Sequence, residues 1–183
     1  MNKSESNATR PPSDPADPTL WRQWHAAAAL PVVDRAIRDL YRRLDVEVAS
    51  HHPVCRQSGR CCHFDSYGHL MYVTGLEVAW LLRHPAGRPP IQKPQRAQLP
   101  QLDSCPFQID GLCSVHALRP TGCRVFFCDP TARQWESAVY DGYLHDLRAL
   151  HDRHHLDYRY IEWRSALRDA LAALKPHVTG GGL

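Results

Sequence analysis

The chain has 183 residues, of which 43% are hydrophobic and 22% are charged, with a formal net charge of +3. This length suits one domain with a hydrophobic core, and so mild a charge gives no reason to expect binding to nucleic acid or to an anionic membrane. Because no run of about 18 apolar residues occurs, no transmembrane helix is expected.

The two ends of the chain are predicted to lie outside the folded domain. Residues 1–17 contain many prolines and no apolar segment, which indicates a disordered lead rather than a secretory signal. Residues 177–183 are predicted to form a flexible tail. A single domain is therefore expected over 18–176, in the cytoplasm, where reducing conditions disfavour disulfides.

The first part of the domain is predicted to be helical. Asp17 is expected to cap a helix that starts at Pro18, and Pro31 either kinks this helix or begins a second one. Five apolar residues then follow at helical spacing. They are Val33, Ile37, Leu40, Tyr41 and Leu44.

The middle of the chain alternates loops with short elements. Residues 51–69 have the composition of a loop, and the run LMYV at 70–73 predicts a short strand. Thr74 and Glu77 stand at the spacing of a capping box, which predicts a short helix from there. Residues 85–101 contain five prolines and are expected to be an exposed connector.

The last part of the domain is predicted to contain a tight turn and two helices. The stretch at 109–111 predicts a turn between two short extended segments. Apolar spacing predicts helices over 131–151 and 157–174. Three histidines are expected on the polar, exposed face at the end of the first: His151, His154 and His155. The predicted fold is mainly α, with irregular cysteine-rich loops and a few short strands, in a small metal-nucleated domain flanked by helices.

The seven cysteines fall in two loop-rich windows of the sequence. They are Cys55, Cys61 and Cys62 in the first window, and Cys105, Cys113, Cys123 and Cys128 in the second. Cysteines clustered in this way in a reducing compartment are typical of metal ligands or redox groups, and an odd number cannot be satisfied by disulfides. Since thiolates are soft ligands that suit zinc and iron–sulfur clusters, all seven are predicted metal ligands.

The cysteine segments resemble a known family. The runs CRQSGRCC at 55–62, CPFQIDGLC at 105–113 and RPTGCRVFFC at 119–128 are similar to those of the YkgJ-type cysteine-cluster family, described as a zinc- or iron-chelating CxxCxxCC domain. The resemblance covers about 52–130, the cysteine-cluster core. It has two departures, a serine at the family's second cysteine and a histidine at its usual tyrosine.

These departures leave the ligand set open. Ser58 replaces a family cysteine, so that position never bound metal, or one site is lost, or another ligand takes its place. His63 is the nearest candidate for such an exchange, and His116, at the tyrosine position, is a weaker one. Each histidine has an alternative role as an ordinary polar loop residue.

Two arginines beside the expected thiolates are predicted to bind the cofactor. Arg119 and Arg124 lie in the RPxxCR run, where guanidinium groups would offset the negative charge of the thiolates and donate hydrogen bonds to sulfur. The alternative is a salt bridge at a helix end. The candidate acids are Asp103, Asp110 and Asp129.

The spacing of the cysteines bears on the metal and on the function. The CxxC pairs of common zinc sites are absent, and a cubane cluster can gather thiolates from loosely spaced loops. This favours a [4Fe–4S] cluster modestly over zinc, as does the resemblance of some family members to cluster-bearing protein methylation enzymes. The expected function is metal binding, in electron transfer, metal handling or interaction with a protein partner. The alternatives are a cluster-dependent enzyme that modifies a protein partner, methyltransferase-like, and a thiol redox sensor.

Overall fold

The structure is a computed structural model that describes residues 17–56 and 58–174. The predicted lead, apart from Asp17, and the predicted tail at 177–183 lie outside these residues. Within the described part the chain is mainly α-helical, with two antiparallel sheets of two strands each, which confirms the predicted fold class. No helix in this part is long and apolar enough to cross a membrane.

Seven helices and four short strands follow one another along the described chain. The helices are α1 (Pro18–Ala27), α2 (Pro31–Ser50), α3 (Gly75–Arg83), α4 (Lys93–Arg96), α5 (Thr121–Val125), α6 (Arg133–Arg153) and α7 (Trp163–Ala173). The strands are β1 (Tyr72–Thr74), β2 (Gln108–Ile109), β3 (Leu112–Cys113) and β4 (Tyr160–Glu162). Strand β1 pairs with β4, and β2 pairs with β3 in a hairpin.

The two N-terminal helices form as predicted. The Asp17 carboxylate caps α1 by accepting from the Thr19 N–H at 2.7 Å. Pro31 begins a second helix, which decides between the two alternatives. All five apolar positions predicted for that helix are buried, and they join Trp21 and Trp24 in one hydrophobic core.

Helix α3 starts with the predicted capping box. The Glu77 N–H donates to Thr74 Oγ1 at 3.3 Å, and the Thr74 N–H donates to Glu77 Oε2 at 2.9 Å. Glu77 is also buried, and its Oε1 accepts from the Tyr41 hydroxyl at 3.1 Å and from the Thr121 N–H at 2.8 Å. One carboxylate therefore ties α2, α3 and the start of α5 together.

The prediction of a helix from residue 157 was wrong for its first part. The segment at 160–162 is strand β4, which pairs with β1, and α7 begins at Trp163. The Glu162 carboxylate caps α7 by accepting from backbone N–H groups of its first turn. The extended segment satisfies its backbone groups through a partner strand far away in sequence, which local apolar spacing does not reveal.

One prediction of exposure holds only in part, and another was wrong. Most described residues of 85–101 are exposed, but the segment forms short helical turns, and Leu99 within it is fully buried in the core. His151 on α6 is fully buried too, with its Nδ1 at 3.0 Å from the Asp157 carbonyl oxygen and its ring against Tyr158. Core packing from other elements covers both side chains.

Candidate metal centre

Backbone pairing brings the first cysteine loop onto the second. The Phe64 N–H donates to the Asp103 carbonyl at 2.8 Å, and the Cys105 N–H donates to the Cys62 carbonyl at 2.7 Å. These bonds hold the vicinal pair Cys61 and Cys62 beside Cys105. The meeting of the two cysteine windows is therefore built into the main chain.

A glycine turn precedes the vicinal cysteines and packs against the β2–β3 hairpin. Gly59 has a φ of +71°, and a Cβ there would lie 2.5 Å from Gln108 Nε2 and 2.9 Å from the Gly111 oxygen. The Gly59 carbonyl accepts from Gln108 Nε2 at 2.9 Å. The hairpin turn has positive φ at both Asp110 and Gly111, as in a type I′ turn, which confirms the predicted turn.

Six cysteine thiols lie close enough together that each affects the pKa of another thiol or has its own pKa affected by one. This thiol cluster consists of Cys61, Cys62, Cys105, Cys113, Cys123 and Cys128. The pKa of Cys61 is raised first by a hydrogen bond with the Cys62 thiol and then by burial. The Cys62 pKa is raised to about 12, mainly through a hydrogen bond with Cys105.

Burial and one aromatic hydrogen-bond donor determine the environment of the remaining thiols of the cluster. Burial raises the pKa values of Cys113, Cys123 and Cys128. The buried Cys105 sulfur accepts from the Trp163 indole N–H at 3.3 Å. Trp163 lies in the segment 157–174 that apolar spacing predicts to be helical, and no local signal in the sequence marks it as a partner of a thiol.

The seventh cysteine lies on the wall of a cavity beside the cluster. Cys55, Cys61 and Cys128 line this cavity, whose volume is 440 Å³. All seven cysteines are free thiols. The structure thus brings every cysteine predicted as a ligand to one region of the molecule.

Arginines also line the cavity beside the thiols. They are Arg56, Arg60 and Arg119. Neighbouring thiols and burial raise the pKa of Cys61, and the positive charge of Arg119 opposes this rise. The same charge opposes the rise in pKa that burial causes at Cys113 and Cys123. Arg119 therefore lies where its charge can stabilise thiolates, and its role in binding a cofactor stays a prediction.

Arg124 has a different set of contacts. Its buried guanidinium binds both oxygens of the Asp45 carboxylate, at 2.8 and 2.7 Å, and donates to the carbonyls of Arg119 and Ala117 at 2.7 Å each. It also lies 4.2 Å from the centre of the Tyr41 ring. Asp45 is none of the three acids considered from the sequence, and the contact fastens α5 to α2.

Three residues bear on the two departures from the family pattern, and their surroundings differ. Ser58 and His116 stand at the departures, and His63 is the nearest candidate for a replacement ligand. Ser58 lines the cysteine cavity beside Cys128, lowers the pKa of its thiol and so lies at the edge of the cluster. His63 points Nδ1 at Ser104 Oγ, 2.9 Å away, and at an Asp103 carboxylate oxygen, 3.2 Å away. His116, the residue at the second departure, is exposed.

The thiols of the cluster are donors that suit a thiophilic metal, whereas their positions are not those of a formed metal site. Within residues 17–56 and 58–174, no three His, Cys, Asp or Glu side chains are positioned to hold one metal ion. The thiols converge from both windows, and metal binding would require them to lose protons and turn towards a common centre. Soft thiol donors of this kind suit zinc or iron–sulfur clusters.

Comparison of the chain with protein-family models, with curated proteins and with solved structures finds no match in any of the three. The resemblance of residues 55–62 and 105–128 to the YkgJ-type cysteine-cluster family therefore stays a prediction.

Proposed function

We propose that this protein binds a metal centre through its clustered cysteines, with an iron–sulfur cluster of the [4Fe–4S] type favoured over zinc. The observation that carries the proposal is the convergence of six thiols from two distant windows of the chain, with Cys55 on the wall of the adjoining cavity. Buried structural cysteines are ordinarily small hydrophobic residues of the core, and they do not gather in this way.

The spacing of the thiols favours the larger centre. A structural zinc ion and a [4Fe–4S] cluster each take four ligands, so the number of thiols does not distinguish them. The CxxC pairs of common zinc sites are absent from the sequence, and a cubane cluster can gather thiolates from loosely spaced loops. Arg119 would offset the negative charge of bound thiolates. A bound iron–sulfur cluster supplies one-electron chemistry, so the proposal includes a cytoplasmic protein partner for electron transfer or metal handling.

The pKa shifts of the thiols do not favour a metal-free redox sensor. Sensor cysteines react as thiolates, and their pKa values are lowered by nearby positive charge. Here the Cys62 pKa is raised to about 12 through its contact with Cys105, and burial raises that of Cys123. Thiols of this kind are protonated at neutral pH and react slowly with oxidants.

The test is a chemical analysis of protein purified without tag and without oxygen. We expect about four iron atoms and about four acid-labile sulfides per chain, with a broad absorption band at about 400 nm. One or two tightly held zinc ions in a colourless solution would show that the bound metal is zinc, and the proposal of metal binding would stand. Free thiols with neither metal would overturn it.

Ser58→Cys is expected to strengthen metal retention. Ser58 lines the cysteine cavity beside Cys128, so a sulfur at this position adds a donor at the edge of the cluster. We expect metal loss to a chelator to slow by about 10-fold, the lower end of what changes around a metal site produce. The measurement is the rate of metal release under excess chelator.

Ser137→Cys is the matched control, because it adds an exposed thiol on α6 that does not line the cysteine cavity. Its release rate should equal that of the wild type. Equal rates for Ser58→Cys and wild type would place Ser58 outside the metal centre.

A further inference from the structure

A second cavity, lined by no cysteine among the described residues, lies between strands β1 and β4 and helices α5 and α6. Its volume is 210 Å³. Four tyrosine and phenylalanine rings, the His69 imidazole and one carboxylate stand on its walls. The four rings and the carboxylate belong to Tyr72, Phe126, Tyr140, Tyr160 and Glu136. Cavities that hold drug-sized ligands measure about 300–1,000 Å³, so this one suits a smaller molecule.

Contacts among the aromatic residues fix the walls in place. The hydroxyls of Tyr140 and Tyr160 are 2.6 Å apart, and the rings of Tyr72 and Tyr160 stack with centroids 5.1 Å apart. Phe126 stacks on His69 with a centroid distance of 4.8 Å. The rings are held before any ligand arrives, which lowers the cost of binding.

The carboxylate of Glu136 is the only acidic group among the described residues of the wall. Its Oε1 accepts from the Phe127 N–H at 2.6 Å, and the carboxylate forms no salt bridge in the described part of the chain. Burial raises its pKa, and the charge of Arg133, which together with Glu136 lines a third cavity, opposes that rise. A carboxylate on the same cavity wall as aromatic rings gains from a cation bound between them.

We propose that this cavity binds a small organic ammonium ion between the aromatic rings and the Glu136 carboxylate. Ring faces attract cations, and sets of aromatic side chains are the common recognition element for substituted ammonium groups. An anion would meet the carboxylate, and a neutral molecule would leave it without a counter-charge. The inference does not rest on the proposed metal centre, because none of the described residues lining this cavity is a cysteine, although Phe126 also lines the cysteine cavity.

The first test is calorimetric titration of the full chain with choline and with 3,3-dimethylbutan-1-ol, which has the same shape and no charge. Choline is expected to bind saturably, and the neutral analogue at least about 10-fold more weakly, since the charge is what the cavity selects. The absence of saturable choline binding would overturn the proposal, as would equal binding of the two molecules.

Three variants locate the site, because they are expected to lower, to raise and to leave unchanged the affinity for choline. Glu136→Gln keeps the acceptor for the Phe127 N–H and removes the charge, so choline affinity should fall at least about 10-fold. Arg133→Gln removes the competing positive charge, and affinity should rise. Asp141→Asn removes an exposed negative charge from the same helix α6 and should leave affinity unchanged.

Circular dichroism and metal content of each variant separate this proposal from the previous one. Glu136→Gln should retain the wild-type spectrum and the wild-type metal content while losing choline binding. Unchanged choline affinity in Glu136→Gln, or an equal loss in Asp141→Asn, would show that Glu136 does not bind the cation.

Discussion

Cys61→Ala is expected to lose most of the bound metal and to melt at a temperature about 10 °C lower than the wild type. Cys61 is coupled to four other thiols of the cluster, since it affects or is affected by Cys62, Cys113, Cys123 and Cys128. Metal binding stabilises a fold whose site does not exist in the unfolded chain. A loss of about 3 kcal/mol of that stabilisation corresponds to the stated shift for a chain of this size.

Two comparisons separate loss of metal from loss of packing. Wild-type protein stripped by a chelator should melt at the same temperature as Cys61→Ala, because both lack the metal. Ser50→Ala, at the exposed end of α2, should keep full metal content. Full metal content and an unchanged melting temperature in Cys61→Ala would show that Cys61 is not a ligand.

Helices with local signals were predictable from the sequence. The Asp17 cap and the capping box of Thr74 and Glu77 each depend on residues within one turn of each other. The apolar stripe of α2 likewise depends on spacing along one helix. Such features need no knowledge of the rest of the chain. Pro31 marked a break in the first helix, but the structure decides that a second helix begins there.

Features that depend on distant partners were not predictable. Strand β4 exists because β1 offers a partner, and its residue Tyr160 also fits the apolar spacing of the helix that follows. Asp45 stands on α2 with nothing in its neighbourhood to mark it as the partner of Arg124. Tertiary context decides both cases.

The candidate site was predictable as a group of residues and not as a geometry. Clustering of cysteines in two windows indicated that they meet, but the backbone bonds that join Phe64 to Asp103 and Cys62 to Cys105 determine which thiols become neighbours. The indole donor Trp163 reaches Cys105 from a helix outside both windows. The aromatic cavity around Glu136 had no signal in the sequence, because its walls come from four separate elements.

Glu77→Ala is expected to lower the free energy of unfolding by about 3–5 kcal/mol, a large part of the stability of an ordinary domain. The wild-type carboxylate is buried and accepts four hydrogen bonds, two of them within the capping box. Its removal leaves the Tyr41 hydroxyl and the Thr121 N–H buried without an acceptor. Burial raises the pKa of Tyr41, so its hydroxyl keeps its proton and cannot adapt by ionising. Urea unfolding measures the change.

Glu77→Leu separates the lost acceptor from the cavity that alanine creates. Leucine fills much of the volume of glutamate and accepts no hydrogen bond, so a loss close to that of Glu77→Ala would assign the effect to the unsatisfied donors of α2 and α5. Recovery of most of the stability in Glu77→Leu would assign it to packing instead. Asp141→Ala, at an exposed position on α6, should stay within about 0.5 kcal/mol of the wild type. Since Glu77 joins α3 to α2 and to the start of α5, which carries Cys123, Glu77→Ala should also weaken metal retention, whereas Asp141→Ala should not.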